Sequence, residues 1–294
     1  MVNIDIEEIR FVPAFYDEFP ERLRNIPNPP KGLYIKGRFP DESRPSVAIV
    51  GSRDCSQYGA GMAKYYAEVL SKAGVQIISG LARGVDGIAQ KTALDAGHPT
   101  FGVLGCGVDV VYPKSNREIF ERITEKGALI SEFPPGTPAI ARQFPSRNRI
   151  IAGLADVLLV VEAKVKSGTG ITVRNALEQG KDVYAIPGRV TDPLSAGCNK
   201  LIADGAGAAL TPDDVLLALG IEPSGSRKNA AAQISKLARR EKMLYSVLDL
   251  YPRTLDELSN MTGLTAAELL GILLQLELKG LAAETGKNNY IRKS

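Results

Sequence analysis

The residues best suited to chemistry lie between a predicted strand and a predicted helix. A short apolar run, VAIV at 47–50, is typical of a parallel strand buried on both faces, and a helical pattern begins at Tyr58. Gly51, Ser52 and Arg53 follow the strand directly. Because a helix N-terminus offers free backbone N–H groups and Arg53 adds a planar guanidinium, this junction predicts a binding site for an anion such as phosphate.

A second glycine-rich loop, SGTGIT at 167–172, also leads into a helix. The loop lacks the Lys-Ser/Thr ending of a P-loop, so it does not indicate nucleoside triphosphate hydrolysis. Taken alone, it fits a tight turn with Thr172 as N-cap as well as it fits ligand contact. Together with residues 51–53 it favours phosphate binding, with Lys164, Ser167 and Gly168 as candidates.

An aromatic residue and three polar side chains open another predicted helix, in the sequence FPSRNRII at 144–151. Arg147, Asn148 and Arg149 are suited to backbone phosphate, and Phe144 is suited to stacking on an unpaired base. The alternative is a solvated helix start with Phe144 buried in the core. The sequence leaves both interpretations open.

Several enzyme classes lack the residues that they need. A dinucleotide site requires G-x-G-x-x-G after the first strand and an acid at the end of the second, but the chain has GSRDCS at 51–56 and Ser79-Gly80. The single histidine, His98, lies in a turn, and no nucleophile elbow is present. The three cysteines are far apart and fit no metal site. We therefore expect no metal, no cofactor and no catalysis.

Composition and charge are those of an ordinary globular protein. Hydrophobic residues make up 44% and charged residues 23% of the 294 residues, and the formal net charge is only +3. A net charge this small does not by itself indicate nucleic-acid binding, which would require local clustering of cations. No signal peptide and no apolar run of membrane-spanning length is seen, and the dispersed cysteines suit a reducing compartment, so a cytoplasmic protein without membrane partners is expected.

Apolar strands alternate with helical patterns, which predicts an α/β protein with a doubly wound, mainly parallel, Rossmann-like sheet. The predicted strands are 47–50, 76–78, 100–104, 128–130, 157–161 and 183–186, and the predicted helices are 58–73, 87–96, 116–125, 147–153 and 172–179. The carboxyl ends of such strands meet in one crevice, where ligands bind. The charged residues predicted there are the cations Arg53, Arg83, Lys164, Lys166, Arg174 and Arg189 and the acids Asp86, Glu132 and Glu162.

Four segments are predicted along the chain. Residues 1–40 are proline-rich and predict an arm laid over the core, with a short strand at 33–36. The α/β domain is predicted over 41–222 and a linker rich in small and polar residues over 223–236. Residues 237–294 form the last domain.

The last domain has the pattern of a winged helix-turn-helix. A helix at 237–250 is followed by two more, with Thr254 and Thr265 as N-caps, and by a hairpin around Gly286. The third helix carries glutamates in place of base-reading side chains, which favours protein contact over reading of duplex DNA. The basic stretch at 236–242 is the candidate for phosphate contact in this domain.

At these motifs the chain resembles the DprA/Smf family (DNA-processing protein A), from Phe19-Pro20 to the C-terminus. The motifs that carry the resemblance are GSR at 51–53 with Ser56 and Tyr58-Gly59, SGLARGVD at 79–86, Tyr112-Pro113, Ser131-Glu132, FPSRNR at 144–149, VEA at 161–163, Ser167-Gly168 and AIPG at 185–188. One departure is Gln90, where the family usually has histidine.

The resemblance implies an extended Rossmann domain that binds single-stranded DNA, forms a homodimer and helps to load RecA recombinase during natural transformation. Protection of incoming DNA and the absence of enzymatic activity are implied with it. The DNA-binding residues implied by motif and chemistry together are Gly51, Ser52, Arg53, Ser56, Ser79, Gly80, Arg83, Gly84, Phe144, Arg147, Asn148, Arg149, Lys164, Ser167 and Gly168.

Two other classes of function fit the sequence less well. The lysine-decarboxylase-like phosphoribohydrolases share a glycine-rich motif followed by Gly-Thr-x-x-Glu, in which the glutamate is catalytic. Counting from Thr172 places Asn175 where that glutamate should stand, so the enzyme interpretation lacks its acid. A scaffold that binds only protein partners would leave the cations of the crevice unexplained.

Overall fold

The structure, a computed structural model, describes residues 8–222, 237–249 and 251–292. The chain divides into two compact units, Met1–Glu222 and Pro223–Ser294, which are described separately. The predicted linker, 223–236, lies outside the described residues, as do residues 1–7 of the predicted arm.

The first unit is built on a nine-stranded mixed sheet with the strand order β1-β2-β6-β5-β4-β3-β7-β8-β9. The strands are β1 (Ile9–Pro13), β2 (Gly32–Gly37), β3 (Ser46–Val50), β4 (Gln76–Ser79), β5 (Thr100–Leu104), β6 (Ala128–Ser131), β7 (Val157–Val160), β8 (Asp182–Ala185) and β9 (Gly207–Ala208). All neighbours from β6 to β9 are parallel, whereas β2 is antiparallel to both β1 and β6. The α/β fold class is confirmed.

Eight α-helices belong to this unit as far as the structure describes it. They are α1 (Glu21–Arg24), α2 (Gln57–Lys72), α3 (Val85–Asp95), α4 (Arg117–Arg122), α5 (Gln143–Leu154), α6 (Thr169–Glu178), α7 (Ala196–Ala203) and α8 (Pro212–Ala218). Helix α2 packs against α3, and α5 packs against α6. The strand order reverses between β4 and β7, on either side of β3, and this is the place where open α/β sheets bind ligands.

Strand β3 lies at the centre of the core because all five of its residues are buried. It pairs with β4 on one side and with β7 on the other, in the register Val50↔Val160. The strands β3 and β7 therefore end side by side. The loops that follow them, which begin at Gly51 and Val161, share one edge of the sheet.

The N-terminal segment contains more secondary structure than was predicted for the arm. Besides the expected strand β2, it contains β1, which pairs with β2 along its whole length, and the short helix α1, whose Leu23 is buried in the core. The β1 sequence IRFVP gave no strand signal because it is short and ends in proline. The helix predicted at 116–125 is also shorter, since 3₁₀ turns at Lys114–Asn116 and Ile123–Glu125 flank α4.

The second unit has three helices and a three-stranded sheet of order β10-β12-β11 within its described residues. They are α9 (Arg239–Val247), β10 (Arg253–Thr254), α10 (Leu255–Thr262), α11 (Ala266–Leu278), β11 (Ala282–Gly286) and β12 (Asn289–Arg292). Thr254 and Thr265 cap α10 and α11 as predicted, each in a capping box with the glutamate three residues later. The predicted winged helix is confirmed.

No single helix in the described part of the chain is long and apolar enough to cross a membrane. Helices α10 and α11 reach that composition only when taken together, and they are bent by 102°. Their buried leucines, which include Leu258 and Leu273, fill the core of the second unit.

Candidate nucleic-acid interface

A cavity of about 560 Å³ opens at the carboxyl edge of the sheet, where β3 and β7 end. We call it the crevice. Nine of the residues predicted to bind DNA line it: Gly51, Ser52, Arg53, Phe144, Arg147, Asn148, Lys164, Ser167 and Gly168. The structure therefore brings the three motifs 51–53, 144–148 and 164–168 to one place, although more than a hundred residues separate the first from the last.

The ring of Phe144 is half-buried at the wall of the crevice. It stacks on Tyr112, with ring centroids 5.4 Å apart and an angle of 28° between the planes. The guanidinium of Arg53 lies 5.4 Å from the Phe144 centroid and that of Arg147 lies 5.8 Å away, both within cation–π range. Phe144 is thus neither fully exposed nor a core residue. It forms an aromatic surface beside an exposed cation.

Arg147 lies inside the protein, with only 4% of the residue exposed. Its Nη1 donates hydrogen bonds to the carbonyl oxygens of Gly80, at 2.8 Å, and of Val103. Its Nε donates to Oδ1 of Asn148 at 3.2 Å. Burial lowers the pKa of Arg147 to about 10, and the nearby Asp86 opposes that change. Arg147 therefore joins the ends of β4 and β5 beneath Phe144, a role that its place in a polar motif did not indicate.

Asp86 completes this buried group. Its Oδ2 accepts a hydrogen bond from the backbone N–H of Gly80 at 3.0 Å. Burial raises the pKa of Asp86, while the charge of Arg147 and the hydrogen bonds to the carboxylate act against that rise. Gly80 must be glycine, because a Cβ there would lie 2.7 Å from Nη2 of Arg147 and 2.8 Å from Oδ2 of Asp86.

A second cavity of about 170 Å³ also has Phe144 in its wall. Gly80 and Arg83 line it, and it shares Arg53, Tyr112, Phe144 and Arg147 with the crevice. Arg83 is exposed and forms an ion pair with Asp54 at 3.0 Å. The two cavities therefore share the Phe144 ring as part of their walls.

The N-terminus of α2 does not offer the open anion site that the sequence predicts. The backbone N–H of Ser56 donates to Oε2 of Glu162 at 2.8 Å, and its hydroxyl donates to Oε1 at 2.6 Å. Glu162 is only 1% exposed, and a Cβ on Gly59 would lie 2.5 Å from its Oε2. The expectation for this helix end is corrected: a carboxylate of the protein fills it.

The N-terminus of α6 is the helix end that faces the crevice. Gly168 is its N-cap, and the helix begins at Thr169, three residues before the predicted start. Thr172 is therefore not the N-cap but a residue of the first turn, 3% exposed, and with Thr169 it lines the crevice. Lys164 is exposed at the same wall. The N–H groups of Gly170 and Ile171 donate to the Ser167 and Gly168 carbonyls, both at 3.2 Å. The positive end of the helix dipole, two hydroxyls and one cation thus meet here, which suits a phosphate.

Four of the predicted residues line neither cavity: Ser56, Ser79, Gly84 and Arg149. The Ser79 hydroxyl donates to the Ile49 carbonyl at 2.6 Å. Gly84 has a φ of 72° and packs against the Ser52 carbonyl, where a Cβ would approach to 2.3 Å. Arg149 donates through Nη2 to both carboxylate oxygens of Glu132, at 2.7 and 2.9 Å. These residues shape the loops around the crevice.

Among the other residues that line the crevice, Tyr112, Thr169 and Thr172 offer an aromatic ring and two hydroxyls that were missing from the predicted site. Tyr112 precedes a cis proline, Pro113, and was noted only as part of a family motif. The predicted cations Lys166, Arg174 and Arg189 are not among the lining residues. No cluster of His, Cys, Asp and Glu able to hold a metal occurs in the described residues.

Comparison with known proteins gives the family. The DNA recombination-mediator protein A family matches residues 10–220, and the DprA winged helix domain matches residues 228–286. The Protein Smf of Escherichia coli is 36% identical over 290 residues, which cover 96% of this chain and 76% of that protein. The DNA processing protein DprA of Streptococcus pneumoniae is 42% identical over 213 residues, which cover 71% of this chain and 75% of that protein.

Solved structures agree. The DprA structure from Streptococcus pneumoniae is similar with a TM-score of 0.68 and 40% identity, covering 72% of this chain and 75% of the other. A DprA structure from Helicobacter pylori gives a TM-score of 0.64 at 29% identity, covering 72% of this chain and 97% of the other. The chain belongs to the DNA recombination-mediator protein A (DprA/Smf) family.

Proposed function

We propose that this protein binds single-stranded DNA along the crevice. The observation that supports this most is the exposed Arg53 guanidinium beside the half-buried Phe144 ring, which stacks on Tyr112. A single strand presents an unpaired base next to each phosphate, so it can use an aromatic face and a cation at the same time. In a duplex the base faces are stacked on one another, so a duplex could bind only through the contact of its phosphates with the cation.

The phosphates have two candidate positions in this proposal. Arg53 supplies one, and the N-terminus of α6 with Lys164, Thr169 and Thr172 supplies the other. In this proposal these groups contact the phosphates of the DNA strand and form no hydrogen bond with a base edge. Little sequence selectivity is therefore expected. The similar Helicobacter pylori protein supports the proposal, because its structure is described as showing a single-stranded DNA binding mode of DNA processing protein A.

The wider role that we infer follows from the family. We propose that the protein acts on DNA during natural transformation and recombination, protects incoming single strands, helps to load RecA recombinase on them and works as a homodimer. The family description as a recombination-mediator protein supports this inference. The test is whether the purified protein speeds RecA filament formation on strands coated with single-strand binding protein.

Binding to oligo-dT and to duplex of the same length, compared by fluorescence anisotropy across a salt series, tests the proposed activity. We expect tighter binding to the single strand at every salt concentration, with an affinity that falls as salt rises. Equal affinity for the duplex at moderate salt would contradict the proposal.

Catalysis is not part of the proposal. The position at which the phosphoribohydrolases carry their acid is Asn175, an amide in α6. Burial raises the pKa of the Cys106 thiol to about 11, which keeps it protonated and a poor nucleophile. Incubation with nucleoside monophosphates should therefore release no free base, and turnover above that of a buffer blank would contradict this.

A further inference from the structure

The loop that follows β4 contains a residue in an unfavourable backbone conformation. Leu81 is completely buried and has a φ of 55°, in the left-handed region that a bulky residue rarely adopts. Such a conformation persists only where the surrounding structure holds it. The same loop carries Ala82 and Arg83 into the wall of the second cavity, and Ala82 also lines the crevice. The contacts that hold Leu81 therefore also fix the backbone from which Arg83 extends.

One of these contacts is made by Asn116, which lies on a different segment of the chain. Its Nδ2 donates hydrogen bonds to the carbonyl oxygens of Leu81, at 3.0 Å, and of Ala82, at 2.9 Å. A side-chain amide nitrogen has two N–H groups, so each carbonyl receives one of them. Its Oδ1 accepts a hydrogen bond from the Ser115 hydroxyl at 3.3 Å, which leaves the nitrogen facing the loop.

The packing of α3 makes room for this amide. Asn116 is half-buried against the first turn of α3, where Gly87 lies. A Cβ on Gly87 would lie 2.7 Å from Nδ2 of Asn116 and 3.1 Å from the Ala82 carbonyl oxygen. The amide can approach the loop this closely because residue 87 has no side chain. Asn116 is thus fitted to its place between α3 and the loop.

Asn116 also belongs to the segment that supplies the aromatic wall of both cavities. It follows Tyr112 by one short turn, in which its backbone N–H donates to the Pro113 carbonyl at 3.1 Å. Tyr112 stacks on Phe144 and lines the crevice and the second cavity. The two hydrogen bonds from Asn116 therefore join the segment of the aromatic pair to the loop of Arg83.

We propose that Asn116 is a positioning residue for single-stranded DNA. It contacts no DNA itself but holds the Arg83 loop against the Tyr112 segment, so that a phosphate and the neighbouring base can bind both at once. The ion pair between Arg83 and Asp54 is exposed, so a phosphate can replace it. Holding both groups in place before the strand arrives reduces the ordering cost of binding. This role rests on the proposed function, because only a strand bound along the crevice would reach these groups.

The Asn116→Asp variant tests whether the hydrogen bonds, and not the shape of the side chain, are required. Aspartate has the same shape but no donor, so single-strand affinity should fall roughly tenfold, as for the loss of one or two hydrogen bonds. Asn199→Asp is the matched control, because Asn199 is also half-buried and its Nδ2 donates to the Gly188 carbonyl at 3.0 Å, in a loop that lines neither cavity. This control adds the same charge and should leave affinity unchanged. Thermal melting shows that both variants are folded. Equal affinity for Asn116→Asp and its control would overturn the proposal.

A positioning role also predicts that the effect depends on the groups that are positioned. In the Arg83→Ala/Tyr112→Leu background, Asn116→Asp should change affinity by less than about twofold, because the two groups that it aligns are gone. Gly87→Ala, which displaces the amide without removing it, should weaken binding by the unmodified protein and not by the double variant. An undiminished tenfold loss in the double variant would assign Asn116 to general stability and overturn the proposal.

Hydrogen exchange in the DNA-free protein distinguishes failure of this role from failure of the proposed function. Measured by mass spectrometry, Asn116→Asp should speed exchange of the backbone amides in both 79–86 and 110–116, and Asn199→Asp should speed exchange in neither. Unchanged exchange in both segments would overturn the positioning role even if the protein binds single strands. A protein that shows the expected exchange but does not bind oligo-dT would contradict the proposed function instead, and the link between the two segments would stand.

Discussion

Glu162 accepts one hydrogen bond from the backbone N–H of Ser56, at 2.8 Å, and a second from the Ser56 hydroxyl, at 2.6 Å. The Glu162 side-chain carboxyl group therefore occupies the N-terminus of α2 in place of a ligand. The positions that stay open to a ligand anion are the Arg53 guanidinium and the N-terminus of α6. This division separates residues that hold the loops in place from residues that face the crevice.

Removing the Glu162 carboxylate should open an anion site at α2. Glu162→Ala leaves the Ser56 N–H without its partner, which costs about 1–3 kcal/mol of unfolding free energy. Inorganic phosphate should then raise the melting temperature of the variant more than that of the unmodified protein. Glu132→Ala, which removes a carboxylate bound to Arg149, is the control. An equal phosphate response in all three proteins would show that Glu162 does not occupy an anion site.

Arg53→Ala should weaken binding to every single strand alike. The loss of one phosphate contact reduces the slope of log affinity against log salt by about 0.7 for a single strand. Arg117→Ala, in α4, removes an exposed cation that lines neither cavity and should leave the slope unchanged. Anisotropy titrations at four salt concentrations measure both. Equal slopes for Arg53→Ala and the unmodified protein would exclude a phosphate contact.

The Phe144→Leu variant distinguishes a role of Phe144 in stacking on a base from a role in packing of the protein core. Leucine keeps most of the apolar contact with Gly105 and Tyr112 but has no π face, so affinity should fall by about 1–3 kcal/mol with little change in salt slope. The melting temperature should change little, since the ring is only half-buried. A large loss of stability with unchanged affinity of the folded fraction would assign Phe144 to the core.

Gly80→Ala should disturb the group formed by Arg147 and Asp86. The added Cβ would lie within 3 Å of both side chains, and such overpacking costs about 1–3 kcal/mol. Single-strand affinity should fall with it, because Arg147 supports Phe144 from below. The matched control is Gly61→Ala in α2, where a Cβ meets nothing within 4 Å. Similar unfolding curves for the two variants would contradict this account of Gly80.

Much of the fold could be predicted because it rests on local patterns. The run at 47–50 is a buried strand, the helices follow the expected strands, and Thr254 and Thr265 cap their helices. The glycine-rich and FPSRNR motifs meet in the crevice because the carboxyl ends of parallel strands share one edge. Strand–helix alternation and residue composition are sufficient to predict this meeting of the motifs.

The rest depends on contacts between distant segments. Glu162 reaches Ser56 only because β7 pairs with β3, and no local signal marks a glutamate after a strand as a helix cap. Arg147 lies in a polar motif yet turns inward to the carbonyls of Gly80 and Val103, because those strand ends need a donor. Tyr112 stacks on Phe144 through tertiary structure alone.

Photo-cross-linking locates the bound strand most directly. An oligo-dT carrying 5-iododeoxyuridine is irradiated in complex with the full chain, and the cross-linked peptides are identified by mass spectrometry. We predict cross-links to Phe144 or Tyr112, lost in a Phe144→Leu/Tyr112→Leu variant that remains folded. Cross-links confined to residues 237–292, or unchanged in that variant, would contradict the claim that single strands bind in the crevice.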